Sequence, residues 1–252
     1  EHIDLDRADG RILGKSAIAQ RTSPPFLMSA MDGYAVRDAD FTHIPISLKI
    51  AGKSFAGTGF GKDLSPRTCV RIFTGAPAPK GTDRVVIQED VRTDGETAIF
   101  SYALSKARHL RFPGSDFAKG DIIVRAGQIL TPQRLVGIAA SDIADLEVFR
   151  QPRVAILCCG DELAEPGVAK QSPNSTPESI SYGIAALARR WGGTVVGRWR
   201  QPDDLACIQI AASEAAEHAD VVVVIGGASV GERDFAKQAF FPLALDLIFS
   251  KV

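Results

Sequence analysis

The second half of the chain alternates short apolar runs with helical stretches, and this alternation restricts the possible folds most strongly. Runs rich in β-branched residues occur at 154–157, 194–196 and 221–225. Between them, the spacing of apolar residues predicts helices over 181–191 and 205–218. Strands separated by helices form parallel sheets with helices on both faces. The pattern therefore predicts a three-layer α/β/α domain over 151–252.

The first half of the chain shows the signals of short strands. Runs between Gly, Pro and Asp clusters predict strands at 47–50, 68–73, 84–88 and 97–100. They indicate a small β-rich domain. Residues 1–18 have a loosely helical spacing interrupted by Gly10, which predicts a short helix leading into an extended segment. A strand at 121–124, a turn at Gly127, a helix at 132–140 and a strand at 146–149 are expected to follow.

Composition and charge exclude several classes of function. The 252 residues are 45% hydrophobic and 23% charged, so the chain can bury more than one core. A formal net charge of -1 argues against bulk attraction to nucleic acid or to an anionic membrane. The sequence has no bilayer-length apolar run and no signal-peptide pattern, which favours a cytoplasmic protein. The four cysteines lack C-x-x-C spacing and the four histidines are scattered, so a zinc site is not predicted.

A glycine-rich loop follows the apolar run at 221–225. Gly226, Gly227, Ser229 and Gly231 precede a helix expected to begin near Asp234. Backbone N–H groups of such a loop, together with a helix N-terminus, suit an anion such as phosphate. The alternative is a plain strand-to-helix turn, and the loop alone does not decide between them.

Two further loops carry carboxylates in places where a structural explanation competes with a functional one. Asp161 and Glu162 directly follow the run at 154–157 and could bind Mg²⁺, although Asp161 could equally be a helix N-cap. Asp32 and Gly33 form a dipeptide that is common in hairpin turns. The segment 74–79 reads as a rigid Pro-rich loop after a strand.

Three motifs taken together resemble one enzyme family. They are Ser-Ala-Met-Asp-Gly-Tyr-Ala-Val at 29–36, Thr-Gly-Ala-Pro at 74–77 and Gly-Asp-Glu-Leu at 160–163. In this order they resemble the molybdopterin molybdenumtransferases of the MoeA and gephyrin E-domain type, over nearly the whole chain. The resemblance implies an α/β multi-domain fold: a discontinuous linking α+β domain of 1–22 with 114–150, an inserted β-rich domain of 23–113, and the molybdopterin-binding domain of 151–252.

The resemblance also implies a reaction and a set of site residues. The family inserts molybdate into adenylyl-molybdopterin with Mg²⁺ and releases AMP and molybdenum cofactor. The catalytic positions that match are Asp32, Thr74, Asp116 and Glu162, of which Asp32, Asp116 and Glu162 are the implied metal ligands. The cofactor-binding positions that match are Asp161, Gly226, Gly227, Ser229, Gly231, Asp234 and Lys237.

Three departures from the family pattern support an alternative. Cys158 and Cys159 replace the usual Ser-Thr, Ser115 replaces a Glu, and Glu178 to Ile180 replace Asp-x-Asn. They favour a non-catalytic molybdopterin-binding or scaffold relative, whereas the intact Asp32, Thr74 and Glu162 favour the enzyme. The adenylyltransferase that acts one step earlier shares the α/β domain but lacks the motif at 29–36.

The resemblance finally predicts the assembly. The family builds its site from the α/β domain of one subunit and the β domain of the other. We therefore expect a homodimer with Asp32 opposite the partner's Glu162, no nucleic acid and no membrane. The first residue is Glu1 and the last run is strand-like, which indicates a C-terminally truncated piece of a longer chain.

Overall fold

A computed structural model of the chain describes residues 1–227, 235–243, 245–246 and 248. The chain divides into two compact units: a β-rich unit of 2–147, and an α/β unit of 148–252 together with Glu1. Among the described residues, no helix is both long and apolar enough to cross a membrane.

The β-rich unit contains twelve strands and one α-helix. They are β1 (His2–Asp4), β2 (Ala17–Ile18), β3 (Met28–Ser29), β4 (Gly33–Val36), β5 (Ile46–Ser54), β6 (Thr68–Ile72), β7 (Arg84–Ile87), β8 (Val91–Asp94), β9 (Thr97–Phe100), β10 (Leu110–Arg111), β11 (Ile122–Val124), α1 (Pro132–Ala140) and β12 (Asp145–Glu147). The strands predicted in the first half of the sequence and the helix at 132–140 are confirmed.

A six-stranded sheet of order β7-β4-β6-β5-β9-β8 forms the centre of this unit. All neighbours are antiparallel except β5 and β6. Successive strand residues point to opposite faces, so Val36 packs with Leu48 and Phe100 on one face. Val70 and Val85 are buried on the other face. Apolar cores therefore pack on both faces of the sheet and fix the register of β4. This strand begins directly after Asp32.

Two smaller sheets pair the start of the chain with its residues beyond 120. β1 pairs with β12 and β2 pairs with β11, both antiparallel. The short helix predicted at the start of residues 1–18 is wrong, because only a 3-10 turn forms at Leu5–Arg7; the extended segment expected after it includes β2. Burial of Ile3 opposite Leu146 outweighs the local helical spacing. Because these sheets and the six-stranded sheet belong to one compact unit, the division into linking and inserted domains stays a prediction.

Within its described residues, the α/β unit contains five strands and three α-helices. They are β13 (Arg153–Cys159), β14 (Leu163–Ala164), β15 (Thr176–Pro177), α2 (Ile180–Arg190), β16 (Thr194–Gln201), α3 (Leu205–His218), β17 (Val221–Ile225) and α4 (Ala236–Phe240). β16, β13 and β17 form a parallel sheet with β13 in the centre. The predicted parallel arrangement is confirmed.

Helices cover both faces of this sheet. On one face, Ala185 of α2 packs against Ile156 and Cys158 of β13. On the other, Ile208 of α3 and Ala239 of α4 pack against residues of β13 that include Leu157. The predicted three-layer α/β/α architecture is therefore confirmed. Helix α2, which follows β13, and helix α4, which follows β17, pack on opposite faces of the sheet. Sheets of this kind bind ligands outside the carboxyl ends of the strands at such a point, and we refer to this position at the ends of β13 and β17 as the crevice.

Candidate functional site

The glycine-rich loop after β17 packs closely against the last residue of β13. Gly226 follows β17 with a φ of 85°, and Gly227 has a φ of 63°. A Cβ atom on Gly226 would lie 2.4 Å from the carbonyl oxygen of Cys159. Only glycine tolerates both the left-handed backbone and this approach. The loop therefore begins with a turn that requires glycine, packed against the end of β13.

Asp161 and Glu162 stand on the neighbouring loop, after β13. Both are exposed, and Asp161 accepts a hydrogen bond from the N–H of Asp203 at 3.1 Å. The Glu162 carboxylate folds back over Gly160, where a Cβ atom would lie 2.8 Å from Oε2. The alternative that Asp161 caps a helix is wrong, because the short strand β14 follows and no helix begins there. These carboxylates lie on a turn beside the crevice.

The structure describes only one of the other residues predicted to bind the phosphates. Ser229, Gly231 and Asp234 lie outside the described residues. Lys237 is exposed on α4, which begins at Ala236, two residues after the expected start. The prediction that this lysine faces phosphate therefore stays a prediction.

Cys158 and Cys159 are buried at the end of β13. Burial raises the pKa of each thiol to about 11, so both are protonated and unreactive near neutral pH. Both pack in the apolar cores on the two faces of the sheet, and the Cys158 thiol also hydrogen-bonds with the Glu178 and Ser181 side chains.

Glu178, which replaces the family's aspartate, is buried and caps helix α2. Its Oε1 accepts the N–H of Ser181 at 2.8 Å, and its Oε2 accepts the Ser181 hydroxyl. Burial acts to raise the pKa of Glu178, but the hydrogen bonds from Ser181 outweigh it and the pKa is lowered. Arg198 also donates to the Ser181 hydroxyl at 2.9 Å. The N-terminus of α2 is thus already occupied by a carboxylate of the chain itself.

Sequence reasoning did not assign a role to Glu178, Arg198 or Arg200. Arg198 lies over the ring of Tyr182 at 3.7 Å, and Arg200 donates to the Leu163 carbonyl at 2.5 Å. Both arginines lie on the same face of β16, beside Ile156 and Cys158 in the register. Alternation along a predicted strand would have placed them on one face, but only the register brings them to the loop that carries Glu162.

In the β-rich unit, the structure brings Asp32 and Thr74 together. The N–H and the hydroxyl of Thr74 both donate to Oδ1 of Asp32 at 2.7 Å. The main-chain bond and then the hydroxyl bond lower the pKa of Asp32, and the nearby Arg71 adds to this effect. The other carboxylate oxygen makes no hydrogen bond within the described residues. Asp32 is therefore a fixed anion with one free oxygen.

The hairpin interpretation of Asp32 and Gly33 is wrong. β3 pairs with β10 and β4 pairs with β6 and β7, so the two segments that flank Asp32 are not partners. Gly33 is a strand residue, and a Cβ atom there would lie 2.0 Å from the Val86 carbonyl oxygen. The glycine permits close strand contact, and the aspartate is left at the strand end.

Asp116 is held by a different partner. Arg111 donates to both of its carboxylate oxygens at 2.6 Å, and Ser23 donates to Oδ2 at 3.2 Å. Among the described residues, no group of three or more His, Cys, Asp or Glu side chains gathers in one place. A metal role for Asp116 would need Arg111 to release it.

Two family models and several known proteins match this chain. Residues 1–141 match the family described as "MoeA N-terminal region (domain I and II)", and residues 155–249 match the "Probable molybdopterin binding domain". The chain is 37% identical over 238 residues to a molybdopterin molybdenumtransferase of Haemophilus influenzae, covering 94% of this chain and 58% of the relative. It is 36% identical over 244 residues to molybdopterin molybdenumtransferase 2 of Mycobacterium tuberculosis, covering 94% and 60%.

A solved structure agrees with these relatives. The crystal structure of the molybdopterin biosynthesis MoeA protein from Pyrococcus horikoshii matches with a TM-score of 0.81 and 28% identity, over 89% of this chain and 60% of that chain. This chain thus spans about 60% of the length of the proteins it matches.

Proposed function

This chain belongs to the MoeA family, and we propose that it acts in molybdenum cofactor biosynthesis as a molybdopterin molybdenumtransferase. The proposed reaction inserts molybdate into the dithiolene of adenylyl-molybdopterin and breaks the phosphoanhydride bond, releasing AMP. The relatives named molybdopterin molybdenumtransferase support the class of reaction.

The observation that carries the proposal is the close approach of Gly226 to Cys159 at the carboxyl ends of β17 and β13. Gly226 and Gly227, whose backbone N–H groups we expect to face the ligand, have positive φ angles, and the exposed Glu162 lies on the loop after β13. An adenylylated ligand carries phosphates that suit the N–H groups, while the exposed carboxylates suit a cation bound to those phosphates. Lys237 would add a positive charge to the same edge.

Asp32 and Thr74 have a separate role in this proposal. Thr74 holds one oxygen of Asp32, so the free oxygen is positioned without further cost when substrate binds. A fixed carboxylate can orient a proton-bearing oxygen of molybdate or a cation beside it. No covalent nucleophile is required, because the chain's residues bind and orient the reacting groups.

Mg²⁺ fits part of the predicted ligand set. Mg²⁺ takes one or two protein carboxylates and completes its shell with water and substrate phosphate, which Glu162 and its neighbour Asp161 can satisfy. When bound, it neutralises phosphate charge and so favours departure of AMP. Asp116 fits less well, because Arg111 occupies both of its oxygens.

We place the complete site between two copies of the chain, in a cytoplasmic homodimer. Asp32 belongs to the β-rich unit and Glu162 to the α/β unit. In the proposed dimer, one subunit would supply Asp32 from its β-rich unit, and its partner would supply the loop of the α/β unit that carries Glu162.

The test is release of AMP from adenylyl-molybdopterin. We expect release that depends on molybdate and on Mg²⁺, with equal amounts of AMP and molybdenum cofactor. Omission of molybdate is the matched control. Absence of AMP release under these conditions, in a chain extended to the length of its relatives, would contradict the enzyme proposal.

A molybdopterin-binding scaffold is the alternative. Buried thiols at Cys158 and Cys159 and the closed Asp116–Arg111 pair favour it, since each removes a polar group from the predicted site. The scaffold predicts ligand binding with no AMP release, so the same assay separates the two.

A further inference from the structure

Four side chains of the β-rich unit form a stack that begins in the core and ends at the surface. The guanidinium of Arg71 lies 5.1 Å from the ring centroid of Tyr34 and 4.8 Å from that of Phe73. The rings of Phe73 and Phe55 are parallel, with centroids 4.7 Å apart and planes 8° apart. We call Tyr34, Arg71, Phe73 and Phe55 the aromatic stack.

The two outer rings are held in register by the buried Ser54. Its hydroxyl donates to the Pro77 carbonyl at 2.7 Å, and its carbonyl accepts the N–H of Phe73 at 3.2 Å. Phe55 follows Ser54 directly, so the backbone places its ring on that of Phe73. Arg71 is fixed in turn by the Gly33 carbonyl at 3.0 Å and by Gln88. The stack is preorganised, which lowers the entropy cost of binding to it.

The stack has one open end. Tyr34 is 6% exposed, whereas Phe55 is 46% exposed. Single exposed apolar residues are common and need no explanation. Phe55 differs because it extends a rigid stack whose inner ring, Phe73, is followed in sequence by Thr74, the residue that holds Asp32.

We propose that Phe55, backed by Phe73, is a stacking platform for the pterin ring of the substrate. The proposal rests on the proposed function and names where one part of its ligand binds. In molybdopterin the pterin is fused to the ring that carries the dithiolene, the point of molybdate insertion, whereas the adenine of the adenylylated form lies beyond the phosphates. Phe73 directly precedes Thr74, which holds Asp32, and the proposed function puts Asp32 beside the molybdate. A platform on Phe73 would therefore lie at the pterin end of the ligand.

Physical chemistry supports a planar ring as the occupant. A flat heterocycle gains dispersion and quadrupole attraction when it lies parallel to an aromatic side chain. Stacking of a nucleobase on one aromatic residue contributes about 1–3 kcal/mol as measured by alanine substitution, which corresponds to about a fivefold to 150-fold change in affinity. Phe55→Ala should weaken pterin binding by about tenfold.

The test titrates pterin itself into the 252-residue chain and follows quenching of pterin fluorescence. Phe112→Ala is the matched control, because Phe112 is another exposed phenylalanine of the same unit, at 57%. Phe55→Trp should retain the affinity. Phe55→Leu keeps apolar contact with Phe73 but removes the ring, so it should lose pterin affinity. This variant replaces Phe55→Ala if Phe55→Ala does not fold.

Three results would overturn the platform. These are no binding of pterin to the parent chain at millimolar concentration, equal affinities in the parent and Phe55→Leu, and an equal loss in Phe112→Ala. A parallel titration with AMP should show no dependence on Phe55, and a loss confined to AMP would assign the ring to adenine and contradict the proposal. Since pterin binding needs no turnover, failure of the platform and failure of the AMP-release assay are separate outcomes.

Discussion

Hydrogen-bond partners decide what each carboxylate of this chain can do. Asp32 is fixed through one oxygen only, Asp116 is closed by Arg111, and Glu178 is buried as a helix cap. The sequence motifs identified Asp32 and Thr74 as separate candidates, and the fold joins them. The role of Glu178 could not be predicted, because its burial depends on packing between α2 and β13 rather than on local pattern.

At this same scale, Gly227 tests the anion loop. Gly227→Val should add a side chain at a positive φ and block approach of phosphate, weakening adenylyl-molybdopterin binding by at least about tenfold. Gly183→Val, on the exposed surface of α2, is the control for replacing a glycine of the same unit. Calorimetric titration measures both. An unchanged affinity in folded Gly227→Val would show that the loop is a plain strand-to-helix turn and not an anion site.

The ion pair between Asp38 and Arg84 allows a test of pH-dependent stability away from the candidate site. Arg84 donates to Oδ1 at 2.5 Å and to Oδ2 at 2.8 Å. These bonds hold the pKa of Asp38 below its usual value. A lowered folded-state pKa stabilises the protein above the unfolded-state pKa, and this contribution is lost as pH falls through the folded-state pKa. Because Asp38 is partly exposed, Asp38→Asn should cost only about 1 kcal/mol.

Urea unfolding at pH 7 and at a pH below the ordinary Asp pKa of 3.8 measures this effect. The difference between parent and Asp38→Asn should be full at pH 7 and should shrink as pH falls below that value, while Asp63→Asn, an exposed control, changes little at either pH. A difference that grows on acidification would contradict the assignment.

At the scale of elements, most strands and helices follow from sequence pattern because their periodicity is strong. The helix at 205–218 was predictable in full, since Asp204 caps it by accepting the Cys207 N–H at 2.9 Å. Residues 1–18 were not, because their pairing partner is more than 100 residues away in sequence. Pairing between distant segments leaves no local signal.

Helix α2 offers an element-scale prediction. Its N-cap position, Ser179, makes no side-chain capping bond, and Glu178 satisfies the Ser181 N–H instead. Glu178→Ala should lower the free energy of unfolding by about 1–2 kcal/mol, the range for loss of a helix cap with a buried donor left unpaired. Glu165→Ala, an exposed carboxylate of the same unit, should cost less. Thermal unfolding measures both, and equal costs would contradict the capping role.

At the scale of the whole molecule, the fold class of each unit could be predicted from the sequence, but the contacts within each unit could not. Alternation of strands and helices predicts the α/β/α layers, and the β-branched runs predict the β-rich sheet. The crevice between β13 and β17 was predictable only as a position, because strand order is set by packing on both sheet faces. The touching backbones of Gly226 and Cys159 required the structure.

Assembly is the whole-molecule prediction. If substrate binds between the α/β unit of one subunit and the β-rich unit of another, the protein should be a homodimer at micromolar concentration. Light scattering measures the mass. A strictly monomeric protein that still releases AMP would contradict a site shared between subunits.

The most direct measurement of the central claim compares ligand affinity with AMP release in Asp32→Asn. Because Thr74 fixes Asp32 with one oxygen free, its charge should act in the transition state more than in ground-state binding. We expect affinity for adenylyl-molybdopterin to stay within a few fold while AMP release falls by roughly a hundredfold or more, with Asp63→Asn unchanged in both. Equal AMP release in parent and Asp32→Asn, or a parent that binds the ligand and releases no AMP, would contradict the account.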